Sequence, residues 1–302
     1  MFGIQNMSDN SKKRKELMDF LGVKAGEEAC SKIIETGYKE NYIITKVCLN
    51  ETIPAILIKP TKPNGKMIPL LYCHAAPKDY KIGKNELINS INELQQPTYA
   101  RLLVEMNYCV ICIDNLGFGE RSERSFESYY KEYIFNGKNI LGKFISDNLL
   151  ALEYLLSLDD IDEKEMTVMG FSMGSTIAIY LAAIDTRIAY CFEMCGITDS
   201  DFLLKTRAYD MRSMYFFVYG MAESFSTSDI CAMIAPRVHY SFAGNQDPRT
   251  PPEGLDNIDR KLKSVYQALG SPNNWMLHRY NAGHKETKNM RKQVKKYLQK
   301  GK

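Results

Sequence analysis

Short apolar runs alternate along most of the chain with longer segments whose apolar residues recur at helical spacing. Runs without polar gaps are typical of strands buried on both faces of a parallel sheet. The predicted strands are 67–73, 108–113, 165–169, 188–193, 238–243 and 275–280. The predicted helices are 97–107, 141–157, 258–269 and 286–298, with one more after residue 174. This alternation predicts an α/β protein with a mostly parallel central sheet and helices on both faces.

The beginning of the chain departs from this alternation. Residues 1–40 carry apolar residues at helical spacing, including Ile33, and predict an N-terminal helical extension. Residues 42–49 and 53–59 indicate two antiparallel strands joined by a polar turn. We therefore divide the chain into an extension at 1–40 and a domain at 41–302. The pattern leaves open whether the extension caps the core or mediates self-association as a homo-oligomer.

Two later stretches interrupt the alternation. Residues 115–138 are rich in Ser, Tyr, Arg and Glu, whereas residues 198–228 are rich in Phe, Tyr and Met. The second stretch follows the C-terminal end of a predicted strand, where open α/β sheets form their ligand crevice. We interpret residues 198–228 as a helical lid or substrate-pocket wall. The alternative is an extra helix that only packs on the core.

A candidate nucleophile lies in the pattern Gly170-Phe-Ser172-Met-Gly174. A predicted strand precedes this pattern and a predicted helix follows it, which is the context of a nucleophile elbow. The two glycines omit side chains that would collide in so tight a turn, and the helix N-terminus favours negative charge beside the serine. The pattern also arises by chance, but its context favours Ser172 as a nucleophile.

A serine nucleophile needs an imidazole as base and an acid that orients the imidazole. Of the four histidines, His284 alone directly follows a predicted strand in a loop that opens a helix. His74 ends a strand, and His239 and His278 lie within predicted strands. We therefore predict His284 as the base.

The acid should follow a strand between the serine and the histidine. Asp247 follows the predicted strand 238–243, although an Asp before a proline also commonly starts a turn. Asp199 and Asp201, after an earlier strand, are the alternatives. We predict Asp247 as the acid.

Two backbone N–H groups should stabilise the oxyanion of the tetrahedral intermediate. One belongs to the residue after the nucleophile, Met173. The other should come from the loop that follows strand 67–73, and the small residue Ala76 is the best candidate there.

No pattern in the sequence predicts a cofactor or a metal. Gly117-x-Gly119 resembles part of a dinucleotide-binding loop, but the third glycine is missing and a tight turn explains these residues. Among the eight cysteines, Cys109 and Cys112 have redox spacing but should point to opposite faces of a strand. We expect neither redox nor metal chemistry.

Composition excludes several classes of protein. A net charge of +3 on 302 residues argues against nucleic acid or an anionic membrane as the main partner. The longest apolar run, 177–184, falls far short of the ~18 residues that a membrane helix requires. Residues 1–15 lack the apolar segment of a signal peptide, so we expect a reducing, cytoplasmic location.

With these residues placed, the chain from about 42 to 298 resembles the α/β-hydrolase superfamily. It is most similar to the branch that contains dienelactone-hydrolase-like and acetyl-xylan-esterase-like proteins. The supporting segments are 73–77, 114–121, 170–174, 234–237, 244–247 and 283–284. The resemblance implies a triad of Ser172, Asp247 and His284, with Ala76 and Met173 as oxyanion donors.

The chain departs from these relatives at two places. Many of them have His-Gly in the oxyanion loop, where this chain has His74-Ala75. True dienelactone hydrolases use a cysteine nucleophile, whereas Ser172 points to ordinary esters.

We therefore expect a cofactor-free serine hydrolase acting on a small-molecule carboxylic ester, with an acetyl ester as one candidate. A peptidase or acyltransferase of the same fold is the enzymatic alternative. A catalytically silent hydrolase fold used for binding is the other, and the complete set of three residues speaks against it.

Overall fold

A computed structural model describes residues 2–300, with side chains described for residues 10–299. The described part of the chain forms one nine-stranded sheet in the order β1-β2-β3-β5-β4-β6-β7-β8-β9. The strands are β1 (Ser31–Tyr38), β2 (Tyr42–Leu49), β3 (Ile53–Pro60), β4 (Ile68–Cys73), β5 (Tyr108–Ile113), β6 (Thr167–Phe171), β7 (Tyr190–Met194), β8 (Val238–Gly244) and β9 (Trp275–Tyr280).

Helices follow most of these strands. They are α1 (Phe2–Leu21), α2 (Glu86–Asn89), α3 (Tyr99–Val104), α4 (Phe126–Phe135), α5 (Ile140–Leu156), α6 (Met173–Ile184), α7 (Ser200–Thr206), α8 (Met221–Ser224), α9 (Thr227–Ala232), α10 (Pro252–Ala268) and α11 (Lys288–Lys300). Short 3₁₀ turns occur at Gly83–Asn85, Gly119–Arg121, Glu163–Glu165, Ala208–Met211, Met214–Phe216 and Pro272–Asn274. Within residues 2–300, no helix has both the length and the apolar character that a membrane crossing demands.

The sheet is antiparallel at one side and parallel at the other. Strands β1, β2, β3 and β5 pair antiparallel in that order, and every pairing from β5 through β4 to β9 is parallel. The predicted mostly parallel sheet with helices on both faces is confirmed. Cys109 packs in the core on one face and Cys112 in the core on the other, as their spacing predicts.

The helical prediction for residues 31–38 is wrong. These residues form the edge strand β1, which pairs with β2 through a register shift between Ile33 and Glu35. Ile33 and Ile34 are 63% and 58% exposed, so their apparent helical spacing does not mark a buried helix face. Residues 2–40, the described part of the extension, therefore contain one helix followed by a strand of the domain's own sheet.

Helix α1 caps one face of the core. Leu17 and Leu21 are almost fully buried against this core. The Arg14 guanidinium donates to the carbonyl oxygens of Ala183, 3.0 Å away, and Met233, 2.8 Å away. The N-terminal helix thus packs against α6, the helix that follows the candidate nucleophile.

Truncation of the buried contact in α1 should destabilise the protein. Leu17→Ala removes a fully buried side chain, and we expect the free energy of unfolding to fall by about 2–5 kcal/mol. Urea unfolding measures this loss. Lys15→Ala, at an exposed position of the same helix, should change stability by no more than about 0.5 kcal/mol. Equal stability of the two variants would contradict the capping role of α1.

Candidate active site

The turn between β6 and α6 holds Ser172 in a strained backbone conformation. Ser172 has φ 56° and ψ −113°, outside the regions that an L-residue normally occupies. A Cβ on Gly170 would lie 2.2 Å from the carbonyl carbon of Gly174, and one on Gly174 would lie 1.9 Å from the carbonyl oxygen of Cys73. Only glycine fits at these two positions. The Ser172 N–H donates to the Met194 carbonyl at 2.8 Å, which ties the turn to β7.

The structure brings the three predicted side chains together. His284 Nε2 lies 2.8 Å from Ser172 Oγ, and His284 Nδ1 lies 2.6 Å from Asp247 Oδ2. A carboxylate only accepts hydrogen bonds, so Nδ1 carries the proton and Nε2 is free to accept from the serine hydroxyl. The His284 ring also packs on Phe171, with ring centroids 5.1 Å apart. This arrangement can deprotonate a serine and stabilise the imidazolium that results.

The alternative acids have other functions in the fold. Asp199 caps α7 by accepting from the N–H groups of Asp201 and Phe202, and its second oxygen accepts from Asn257. Asp201 is exposed. Asp247 is buried, and the Arg249 N–H donates to its Oδ1 at 2.9 Å. Of the three candidates, only Asp247 contacts His284.

The other histidines also lie apart from Ser172. His239 is fully buried against Trp275, and burial lowers its pKa to about 3, so it is neutral. His278 contacts the Tyr297 hydroxyl at 3.0 Å. His74, discussed next, supports the loop after β4.

The loop after β4 is fixed at the two peptide groups that flank Ala75 by two buried side chains, those of His74 and Glu86. The Asn115 N–H donates to His74 Nε2 at 3.2 Å, so Nδ1 carries the proton and donates to the Ala75 carbonyl at 2.6 Å. Burial lowers the pKa of His74 and keeps it neutral. The Ala75 N–H donates to Glu86 Oε2 at 3.0 Å, and the Tyr72 hydroxyl donates to Glu86 Oε1 at 2.8 Å. The direction of the next N–H, that of Ala76, is therefore set before any substrate binds.

The two predicted oxyanion donors are both unpaired backbone N–H groups in the part of the chain that the structure describes. Met173 is the first residue of α6, where a helix leaves its N–H groups unpaired. Within residues 2–300, neither the Met173 N–H nor the Ala76 N–H donates a hydrogen bond. Both groups are therefore available to a bound oxygen.

A buried charged network lies behind this loop. Asp114 accepts from the Lys84 N–H at 2.7 Å, from Lys84 Nζ at 2.6 Å and from the Glu120 N–H at 3.0 Å. Arg121 forms a buried ion pair with Asp147 at 2.8 Å. The segment 114–121 is the tight turn that the sequence predicts, and it also scaffolds the loop that carries Ala76.

A second network holds the loop that carries His284. Glu286 is fully buried and accepts from Arg291 Nε at 2.6 Å, from the Tyr99 hydroxyl at 2.6 Å and from the Gln95 N–H at 2.9 Å. The Arg291 guanidinium lies 4.0 Å from the centre of the Tyr99 ring. Sequence reasoning missed Glu286 and Glu86, because a single acidic residue in a polar segment gives no sign that it is buried.

The insertion at 198–228 forms several short helical turns rather than one helix. Together with α6 it encloses an apolar cavity of about 290 Å³. Thr176, one turn after Ser172, and Gly196, beyond β7, connect this cavity to the elbow. Ser172 and His284 themselves do not line it. The insertion therefore lines this cavity, which Thr176 and Gly196 place next to the elbow.

Comparisons with known proteins identify the family to which the chain belongs. A family model described as the alpha/beta hydrolase fold matches residues 68–235. A protein of Bacillus subtilis (strain 168) with the name "Putative hydrolase YtaP" is 34% identical over 295 residues, which is 96% of this chain and 99% of that protein.

Solved structures share the fold. A "putative acetyl xylan esterase" from Bacteroides fragilis NCTC 9343 has a TM-score of 0.71 at 18% identity, covering 90% of this chain and 74% of that chain. A glucuronoyl esterase from Solibacter usitatus has a TM-score of 0.67 at 13% identity, covering 94% of this chain and 91% of that chain. At these identities the likeness establishes the fold alone.

The buried Glu86 should make stability depend on pH. Burial raises its pKa to about 8, against the opposing effect of its hydrogen bonds from Tyr72 and Ala75. The folded protein therefore binds more protons than the unfolded chain between about pH 4.3 and about pH 8, so this group's stabilisation is lost as the pH rises through that window. Glu86→Gln removes the titration, and its unfolding free energy should fall less steeply than that of the wild type.

Urea unfolding at about pH 5 and about pH 8 measures this slope, which one group can change by at most ~1.4 kcal/mol per pH unit. Glu105→Gln, at an exposed ion pair, is the matched control and should keep the wild-type slope. A Glu86→Gln slope that equals the wild-type slope would contradict the raised pKa.

Proposed function

Because the chain belongs to the α/β-hydrolase family, we propose that it is a serine hydrolase that cleaves a small carboxylic ester through an acyl-enzyme intermediate. The observation that carries the proposal is the continuous contact from Ser172 Oγ through His284 to the buried Asp247. A protein that only binds a ligand has no need of this arrangement in a strained turn.

The first half of the reaction forms the acyl-enzyme. Ser172 Oγ attacks the ester carbonyl while His284 Nε2 takes the hydroxyl proton. Asp247 stays ionised and stabilises the imidazolium. The carbonyl oxygen becomes an oxyanion that accepts from the N–H groups of Met173 and Ala76, and the α6 N-terminus adds a favourable dipole.

The second half releases the acid. His284 gives its proton to the leaving alcohol, and the C–O bond of the ester breaks. A water molecule then attacks the acyl-enzyme while the same imidazole takes its proton. Collapse of the second tetrahedral intermediate returns the proton to Ser172 and frees the carboxylic acid.

A small ester, with an acetyl ester as one candidate, is the substrate class that the site supports. The similar structures carry the names of an acetyl xylan esterase and a glucuronoyl esterase, which are both ester hydrolases. The apolar cavity between α6 and the insertion has enough volume to hold part of a small substrate.

Ser172 should be the site of covalent labelling. A fluorophosphonate reacts with an activated serine, so we expect the wild type to take up one label and Ser172→Ala to take up none. Intact-mass spectrometry measures the label, and thermal unfolding verifies that the variant folds. Ser264→Ala, at an exposed position of α10, should be labelled like the wild type. Labelling that survives in Ser172→Ala would refute the assignment.

Substitution of Asp247 should lower kcat strongly and change KM little. Asp247→Asn keeps the size of the side chain but stabilises the wrong imidazole tautomer, and we expect kcat to fall by about 10⁴ with little change in KM. Steady-state hydrolysis of 4-nitrophenyl acetate measures both constants. Asp201→Asn alters the exposed alternative acid and should keep wild-type kcat. A loss of kcat in Asp201→Asn, with wild-type kcat in Asp247→Asn, would instead assign the role of the acid to Asp201.

A further inference from the structure

We propose that the substrate carries a carboxylate, which Arg212 and Arg249 bind beside the catalytic side chains. This inference rests on the proposed ester hydrolysis and specifies its substrate class. Among residues 10–299, neither guanidinium has a carboxylate partner, and both residues contact the segments next to Ser172 and Asp247.

Arg212 lies in the insertion, next to the elbow. Its guanidinium donates to the Gly196 carbonyl at 3.1 Å and, over a long 3.4 Å, to the Arg249 carbonyl. It also lies 4.4 Å from the centre of the Phe216 ring. A Cβ on Gly196 would lie 2.8 Å from the Ser172 carbonyl oxygen, so Gly196, whose own carbonyl accepts from Arg212, packs directly against the backbone of the elbow.

Arg249 approaches the same place from the acid loop. It follows Asp247 by two residues, and its backbone N–H donates to Asp247 Oδ1. Its guanidinium makes no hydrogen bond or ion pair with any residue from 10 to 299 and is partly exposed. Burial and the positive charge of Arg249 both lower the pKa of Arg212, which Tyr215, Asp247 and Glu193 oppose. Because the Arg212 guanidinium also donates to the Arg249 carbonyl, the two arginines are neighbours.

The carboxylates of this region are already engaged. Asp247 accepts from His284 and from the Arg249 N–H. Glu193 accepts from the Ser175 hydroxyl at 2.5 Å, and burial raises its pKa to about 7, which leaves it only partly charged near neutral pH. Neither carboxylate forms an ion pair with Arg212 or Arg249.

Other buried or half-buried arginines in the described residues have carboxylate partners or several carbonyl acceptors. Arg121 pairs with Asp147, and Arg291 pairs with Glu286. Arg237 has no carboxylate partner, but four carbonyl oxygens accept from it. Arg212 has two acceptors for its five N–H groups. A partly buried cation with unused donors is costly unless an anion completes its shell.

A carboxylate has the right shape and charge for this position. Its two oxygens match the planar fork of a guanidinium, and such charge-assisted pairs are stronger than neutral hydrogen bonds. Phe216 and Gly196, the two neighbours of Arg212, also line the apolar cavity. A substrate whose apolar part fills this cavity and whose carboxylate lies at the cavity rim would contact both the apolar lining and the guanidinium groups.

Two pairs of esters test the proposal, and the two members of each pair differ in one charge. The pair that shows a preference indicates whether the carboxylate belongs to the leaving group or to the acyl group of the substrate. 4-Acetoxybenzoate and 4-acetoxybenzamide differ by a charge on the leaving group. Mono-4-nitrophenyl adipate and its methyl ester differ by a charge on the acyl group. In one pair, we expect wild-type kcat/KM to favour the anionic member by about tenfold or more, the order of one charge-assisted hydrogen bond.

Substitution of either arginine should reduce this preference. In Arg212→Gln and Arg249→Gln, the ratio of anionic to neutral kcat/KM should fall severalfold or more, and Arg212→Lys, which keeps the charge, should retain part of it. Arg260→Gln removes an equal charge from an exposed position of α10 and should keep the wild-type ratio. Fluorophosphonate labelling of Ser172 in each variant verifies that the site is folded.

Two results would overturn the proposal: no preference for the anionic member in either pair, or a preference that both glutamine variants retain. If the neutral esters are still hydrolysed, and this hydrolysis is lost in Ser172→Ala, the proposed function would remain supported. If none of the four esters is hydrolysed, the proposed function fails, and calorimetry still tests the anion site. Binding of 4-hydroxybenzoate but not 4-hydroxybenzamide, lost in both glutamine variants, would support the site, and equal binding of both compounds would overturn it.

Discussion

The positive φ of Ser172 is the constraint on which the rest of the site depends. An L-residue adopts this conformation only when its surroundings enforce it, because the backbone strain costs of order 1–3 kcal/mol. The bond from the Ser172 N–H to β7 and the close approach of Gly174 to β4 enforce it here. The hydroxyl is consequently presented above the sheet edge, where loops from the other parallel strands can reach it.

The partners of Ser172 depend on buried polar groups that would be costly if any one were left unpaired. His74 and Glu86 fix the two peptide groups that flank Ala75, and Glu286 with Arg291 fixes the loop of His284. Because each of these groups is paired, the site is organised without a ligand, as electrostatic stabilisation of a transition state requires. The side chains that stabilise these loops therefore also hold the predicted catalytic groups in place.

The strands, the elbow and the order of the candidate residues follow from the sequence because each has a local physical signature. Strands buried on both faces need uninterrupted apolar runs, and the turn at Ser172 needs glycine on both sides. Edge strand β1 lacks such a signature, since its isoleucines are exposed. The support from Glu86 and Glu286 is equally hidden, because their burial is decided by partners in other loops. In the insertion, aromatic residues that suggested one helix are divided among short turns.

Helix α6 links the N-terminal segment to the nucleophile through its two ends. Its first N–H groups face the serine, while carbonyl oxygens of its last turn, those of Ala182 and Ala183, accept from Arg237 and Arg14. Cations at this end complement the negative pole of the helix. The twelve residues between the ends span about 18 Å, so these cations lie far from Ser172. The N-terminal helix thus supports the position of α6 from the end of the helix that lies farthest from Ser172.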